Sequence, residues 1–334
     1  EKDALGSIET VYNACGLQTY FPVRQKKLPT IKLDPKYKDP HNKFRMITSY
    51  FNFPMKRLLR FLGKALRFML LAVHEKLMMK SFTLFRLCDF KSKILRLKSM
   101  ENRKCLKVWQ TDVKSMFTNL SKNGVLQKVE ALITLYSDIY RGKPNGITVL
   151  KNAPYTCFNG VSLALDNTVE LPFDLIRRAV LWDLNATYSK FGNLIFFQKE
   201  GLPIGGLCSS VYADLQCAFD ENELLSKSDL SCEGFLCIRQ IDDLLILAED
   251  EHTKDVITSS YDKGLTLESE LVSSVTSDNG MVTQKLSYIG LDLTFKNGEV
   301  RSKVSNINLP AIASSGKQIK PRFAPVSSYR SGRF

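Results

Sequence analysis

The sequence predicts an α+β protein in which a helical lobe interrupts an antiparallel sheet. At 334 residues the chain exceeds one typical domain and can bury more than one core. Its elements read as one strand, then helices, then a strand and helix, then hairpins, an order that suits such a fold. The third observation is the stretch RQIDDLLIL, Arg239 to Leu247, where Asp242 and Asp243 interrupt an aliphatic run. Ionised carboxylates in apolar surroundings are costly unless cations or hydrogen-bond donors compensate them, and a divalent metal would do so.

Along the chain, residues 1–54 are rich in Lys and Pro and read as an extended arm with short strands. A long helix is predicted after Pro54, a residue suited to a helix start. Leu59, Leu62, Leu66, Met69 and Val73 recur on one apolar face. Lys56, Arg60, Lys64 and Arg67 fall within an arc of roughly 80°, a stripe that suits a phosphate backbone, anionic lipid or an ordinary solvated face. CLKVWQTD alternates and reads as a strand ending at Asp112. Residues 120–190 look mainly helical, with a loop at RGKPNG. NLIFFQ reads as a strand, KEGLPIGGLC as a glycine-rich loop, and CSSVYADLQCAFDENEL as a helix with Cys208, Val211, Leu215 and Ala218 inward. GFLCIRQIDDLLILAED reads as two strands with Asp242 and Asp243 at the turn. A helix over Glu251 to Lys263 and Asn-Gly hairpin turns at Asn279-Gly280 and Asn297-Gly298 complete the prediction.

The net charge of +13 is unevenly placed. From Glu1 to Thr111 there are 24 Lys+Arg against 8 Asp+Glu; the remainder has 23 against 26. A basic N-terminal portion points to a polyanionic partner, nucleic acid first and an anionic membrane surface second. The eight cysteines lack CxxC spacing, which argues against a zinc ribbon or disulfide scaffold and for a reducing compartment. The apolar run FMLLAV, Phe68 to Val73, is too short to span a bilayer. No signal peptide is visible; the expected location is intracellular, with nucleus and mitochondrion both open and a removed targeting segment allowed by the missing initiator Met.

Three segments then fit together: TDVKSMFTNL, Thr111 to Leu120; GLPIGGLCSS, Gly201 to Ser210; and IDDLL. An Asp at a strand end with an aromatic five residues later, a Gly-rich loop opening a helix, and an Asp-Asp hairpin resemble motifs A, B and C of reverse transcriptases. The pattern is most similar to Penelope-like element enzymes, relatives of telomerase. KFRMI, Lys43 to Ile47, resembles their fingers motif; TDVKSMFTN is similar to D-V-x-S-x-[YF]-T-N; QKEGLPIGGLCSS is similar to Q-x-x-G-x-x-[MI]-G-[SG]. GLTLESE and YIGLDLTFKNGEVRSK resemble the segments that follow motif C. The resemblance runs colinearly from about Lys43 to about Val304.

It implies a right-hand polymerase fold with fingers and an RRM-like antiparallel palm sheet, the thumb rudimentary or missing. The implied activity is RNA-directed DNA synthesis from an RNA template, a DNA or RNA primer and dNTPs, with Mg²⁺, or Mn²⁺, as cofactor. Asp112 and Asp242 match the metal-ligating aspartates, and Asp243 matches the second motif C aspartate, which completes the catalytic set and belongs to the same metal site. Phe117 matches the residue beneath the sugar of the incoming nucleotide, where an aromatic would clash with a 2′-hydroxyl. Arg45 and Lys43 match the fingers residues that clamp the triphosphate, and Gln198 matches the glutamine before motif B. Gly201, Gly205 and Gly206 would let backbone approach template and nucleotide closely. Lys263 is one candidate for the lysine that protonates pyrophosphate.

Departures from the pattern are Gln240 in place of an aromatic, Gly206 where Ser is commoner, and Ser209-Ser210 in place of Ser-Pro; they bear on rate and fidelity. Beyond Val304 come 30 residues with Lys317, Lys320, Arg322, Arg330 and Arg333 and no acid, too few for a helical thumb. No GIY-YIG endonuclease follows. Weak processivity, a protein partner supplying the thumb, or a shortened chain would each fit. The expected division is a basic arm and fingers over 1–104, palm over 105–120, a fingers insertion over 121–193, palm over 194–304, and a basic tail over 305–334. Two other classes stay open: a nucleic-acid-binding protein that keeps the fold without activity, and a membrane-surface protein using the Lys56–Arg67 stripe.

Overall fold

The computed structural model describes residues 1–22, 27–36, 39–86, 89–90, 93, 107–141, 145–151, 157–160, 167–228, 235–261, 265–276, 282–288, 291–296 and 299–304. Lys263, both Asn-Gly dipeptides and the tail from residue 305 lie outside them. In chain order the elements are α1 (Lys2–Ala14), β1 (Thr30–Lys36), β2 (Asp39–Ser49), α2 (Lys56–Lys76), β3 (Lys107–Lys114), α3 (Met116–Asn119), α4 (Lys122–Ile139), β4 (Gly146–Leu150), β5 (Cys157–Asn159), β6 (Thr168–Pro172) and α5 (Phe173–Asn185). There follow β7 (Tyr188–Phe191), β8 (Leu194–Phe197), α6 (Ser209–Lys227), β9 (Phe235–Gln240), β10 (Asp243–Ala248), α7 (Glu251–Ser259), β11 (Thr266–Leu271), β12 (Ser274–Thr276), β13 (Val282–Tyr288), β14 (Leu291–Lys296) and β15 (Glu299–Val304). None of the described helices is long and apolar enough to cross a membrane.

The chain divides into two compact units, Glu1–Lys80 with Ser115–Phe219, and Ser81–Lys114 with Asp220–Phe334. The first is built on α2. Leu59, Leu62, Leu66, Met69 and Val73 are buried, joined by Leu58, Phe61, Ala65 and Leu70. Burial on that scale, at roughly 1.5–3 kcal/mol per large apolar side chain, is what fixes the helix against α4 and α5. The four-stranded sheet of this unit has the order β2-β1-β7-β8, and β4 is flanked by β5 and β6 in a smaller one. Cys208, Val211, Leu215 and Ala218 of the α6 region are buried.

Two expectations are corrected here. Residues 2–14 form a helix, not an extended arm, because Ala4, Ile8 and Tyr12 bury at four-residue spacing. Trp182 anchors them: its ring meets Tyr12 edge-on at 5.1 Å and its indole N–H donates to the Ile8 carbonyl at 3.3 Å. The stretch between α4 and α5 is a sheet. Ile147, Val149 and Leu171 bury on it, and Gly146 lets β4 approach the Leu171–Pro172 backbone so closely that a Cβ would sit 2.5 Å from the Leu171 oxygen.

The second unit holds a four-stranded antiparallel sheet of order β11-β3-β10-β9. The segment Phe82–Leu84 extends its β9 edge, with Arg239 N–H donating to the Phe82 carbonyl and Leu84 N–H to the Arg239 carbonyl, both at 2.8 Å. A second sheet, of order β12-β13-β14-β15, pairs each strand antiparallel with the next. Val108, Ile238, Leu245 and Leu247 of the first sheet share a core with Tyr288, Leu293 and Phe295 of the second. The aliphatic run after Asp243 is thus explained: Leu244 to Ala248 form a central strand buried on both faces.

Candidate active site

The hairpin β9–β10 closes through Ile241 and Asp242, and strand pairing fixes what lies beside it. Asp243 is the register partner of Asp112 on β3 and of Gln240 on β9; on its far side Asp112 pairs with Glu268 of β11. Directly opposed residues of antiparallel strands share a sheet face, with Cβ atoms about 4.5–5.5 Å apart. One face at this end of the sheet therefore carries the row Gln240, Asp243, Asp112, Glu268. Asp242 occupies the turn, and its carbonyl accepts the Val113 N–H at 2.9 Å. Asp112 is exposed and Asp242 and Asp243 are half-buried, so the carboxylates stand at the edge of the core, not within it.

Glu268 is absent from the sequence-derived residues, because only the pairing of β11 with β3 brings it here. It forms an ion pair with Lys114, two positions beyond Asp112 on the same face. Among the described residues no group of three or more His, Cys, Asp or Glu side chains is disposed to hold a metal ion. The donor set still fits a hard cation of the Mg²⁺ kind, which takes one or two carboxylates and fills its octahedron with water and substrate phosphate oxygens.

The remaining sequence-derived residues lie in the first unit. Phe117 is half-buried on α3, a single turn entered through Ser115 in the left-handed region (φ 52°). Its carbonyl accepts the Leu202 N–H at 2.5 Å. Gly201 (φ +70°) lies so near Thr118 that a Cβ would clash with that residue's backbone. This glycine serves close packing of the glycine-rich loop on α3. Gly205 (φ +88°) has the Thr48 carbonyl at 2.6 Å from a would-be Cβ, and Thr48 N–H donates to Ile204 at 2.7 Å. The loop is thereby fastened to β2, the strand that carries Lys43 and Arg45. Arg45 is exposed, and Gly206 opens the turn into α6 with its N–H donating to Pro203 at 2.9 Å.

Gln198 is half-buried; its carbonyl accepts from Lys122 Nζ at 2.7 Å and from Thr187 Oγ1 at 2.6 Å. The four cations of the expected α2 stripe separate into different environments. Arg60 is exposed, with Arg57 exposed beside it; Lys56 donates to the Phe51 carbonyl at 3.3 Å. Lys64 reaches the Leu150 carbonyl at 3.4 Å, and Arg67 pairs with Asp214 of α6 at 3.5 Å.

Beneath the glycine-rich loop is a titratable cluster that the sequence reading missed. Tyr212 Oη donates to Asp183 Oδ2 at 3.0 Å. Burial pushes the Asp183 carboxyl up to about 6, against the hydrogen bonds from Tyr212 and Cys208 and the charge of Lys122 that lower it. A carboxyl raised on folding binds its proton more tightly in the folded chain. Its stabilising contribution is full below the unfolded value of 3.8 and is lost as pH rises through about 6. Asp183→Asn keeps the acceptor for Tyr212, so it is expected to raise stability over wild type at pH 8 and to lose that advantage below pH 4. The gain is on the order of 2–3 kcal/mol. Urea unfolding of both chains at pH 4 and pH 8 measures it; an equal difference at both pH values would refute the assignment.

No family model and no curated protein matches this chain. Among solved structures it is similar to apo telomerase from Candida tropicalis at 15% identity and TM-score 0.59, over 87% of this chain and 52% of that one. Telomerase from Candida tropicalis in complex with a TWJ fragment of telomeric RNA gives 16% identity and TM-score 0.58, over 88% and 48%. The corresponding Candida albicans complex gives 19% and 0.57, over 84% and 47%. The chain spans about half the length of these telomerases. At such identities the likeness is one of fold: α+β, with the palm and fingers of a polymerase.

Proposed function

We propose that the chain is an RNA-directed DNA polymerase of the Penelope-like, telomerase-related kind, extending a DNA or RNA primer with dNTPs. The observation that carries the reading is the register of Asp112 opposite Asp243 and beside the Asp242 turn, within a telomerase-like fold. The RNA fragment named with two of the similar structures supports RNA as a ligand. Bound Mg²⁺ or Mn²⁺ would make the primer 3′-hydroxyl more acidic and offset the negative charge of the leaving pyrophosphate. Asp112 and Asp242 are assigned as its ligands, and Asp243 sets the local charge. Arg45 and Lys43 are assigned to the triphosphate, Phe117 to the sugar, and Gln198 and Gly205 to the nucleotide's surroundings. Template and primer phosphates fall to Lys56, Arg60, Lys64, Arg67 and the backbone at Gly201 and Gly206. The exposure of Arg60 and neighbouring Arg57 favours this end of α2. Residues 1–104 and 121–193 would serve as fingers and 105–120 with 194–304 as palm. A nuclear or mitochondrial setting, with a protein partner in place of a thumb, fits the reading.

The test is primer extension on an RNA template with dNTPs or NTPs, in Mg²⁺ or Mn²⁺, with Asp242→Ala as control. Extension with dNTPs by the wild-type chain and none by the control is expected. A preference for NTPs would refute the role of Phe117. The competing reading, a nucleic-acid-binding protein without activity, draws on the lack of a three-ligand group among the described residues. It predicts RNA binding that Asp112→Ala leaves unchanged, with no extension by either chain.

A further inference from the structure

We infer that buried Arg239 and Tyr288 are positioning residues that hold the Asp242 turn in its cation-binding shape, a role that deepens the polymerase reading and rests on it. Ile241 precedes the two aspartates with φ 58°. That left-handed conformation is a genuine outlier for a β-branched residue, costing on the order of 1–3 kcal/mol, and it persists only where the surroundings impose it.

The surroundings are specific, because three successive carbonyls at the turn are each held by a different donor. Ile241 O accepts from Arg239 Nη1 at 3.1 Å. Asp242 O accepts from Val113 N–H at 2.9 Å, and Asp243 O accepts from Tyr288 Oη at 3.1 Å. Tyr288, on β13, is buried, and its hydroxyl also lies 3.0 Å from Ile238 O.

Arg239 is itself locked. Its Nε donates to Glu221 Oε1 at 2.5 Å and its Nη2 to Thr83 Oγ1. Both ions of this pair are wholly buried. Glu221 accepts in addition from Tyr261 Oη, from Ser81 Oγ at 2.7 Å and from Phe82 N–H at 2.9 Å. A buried ion pair contributes little net stability compared with apolar side chains of equal volume. What it supplies here is geometry: a planar fork whose separate N–H groups reach Glu221, Thr83 and the Ile241 carbonyl at once, which one ammonium cannot reproduce. Groups of this kind, which orient a metal ligand without touching the metal, typically change affinity or activity 10–100-fold when removed.

The test uses the full chain with Tyr288→Phe and Arg239→Lys, the first deleting one hydroxyl and the second keeping the charge opposite Glu221. Mn²⁺ binding is measured by electron paramagnetic resonance without substrate, and single-nucleotide extension is measured in parallel. Both variants are expected to bind Mn²⁺ about 10-fold more weakly and to lose kcat with KM for dNTP nearly unchanged. Circular dichroism checks the fold, and if Arg239→Lys does not fold, Tyr288→Phe decides. Wild-type Mn²⁺ affinity in the folded variants would overturn the inference. Absence of extension by the wild-type chain would instead overturn the polymerase reading, leaving the Mn²⁺ measurement to judge the turn.

Discussion

Asp112→Asn is expected to lower templated extension about 10³-fold or more while leaving the chain at least as stable as wild type. The two halves of this result have the same origin. Asp112 is exposed at the end of β3 with Asp243 directly opposite and Glu268 on its other side. Like charges opposed across antiparallel strands repel, so neutralising the middle carboxylate removes a penalty of roughly 0.2–1 kcal/mol. Asparagine has nearly the same volume, and the residue contributes nothing to the aliphatic core beneath it. Acidity at this position is thus poor for the sheet and explicable by a cation. Loss of activity together with an unchanged or slightly higher melting temperature supports that explanation. A residue kept for structure would give the reverse pattern, a lower melting temperature with activity falling in proportion. Extension within tenfold of wild type would remove Asp112 from the site altogether.

What the sequence made legible follows the range of the interaction. The apolar spacing of α2 and the alternation of β3 are local signals: α2 forms with its expected face buried, and β3 forms but runs two residues past Asp112, to Lys114, with Trp109, Thr111 and Val113 as its buried face. The Asp242 turn was visible because charged residues in an aliphatic run violate a local rule. Helix α1 was missed although Ala4, Ile8 and Tyr12 are correctly spaced, because the Lys- and Pro-rich stretch after residue 21 set the reading of the whole arm. The strands β4 to β6 were missed for a tertiary reason: Ile147 and Val149 become a buried strand only once Leu171 returns beside them. Glu268, Arg239 and Tyr288 share this difficulty more acutely. Glu268 lies 156 positions from Asp112, and only strand pairing says that they share a face. Arg239 stands three positions before Asp242, but nothing local in the sequence says what its guanidinium holds. Its partner is Glu221, and what it holds is a carbonyl.

Gly201→Ala is expected to be the most damaging single-atom addition in the first unit, at about 3 kcal/mol or more. Two costs combine. A side chain at φ +70° is strained by on the order of 1 kcal/mol. The added Cβ would also come within 2.5 Å of the Thr118 carbon and Cα, and backbone cannot swing aside as a flexible side chain can. Gly192→Ala separates the terms, since φ there is +58° and nothing lies within 4 Å of its would-be Cβ. That control should lower the melting temperature by only about 2–4 °C, against about 6–12 °C for Gly201→Ala. The displaced backbone is that of α3, which carries Phe117 and receives the Leu202 N–H on the Phe117 carbonyl. If Phe117 lies against the nucleotide sugar, Gly201→Ala must therefore alter the choice between dNTPs and NTPs, whereas Gly192→Ala must not. Equal selectivity in the two variants, with the expected difference in melting temperature, would show that the loop supports α3 without any bearing on the sugar.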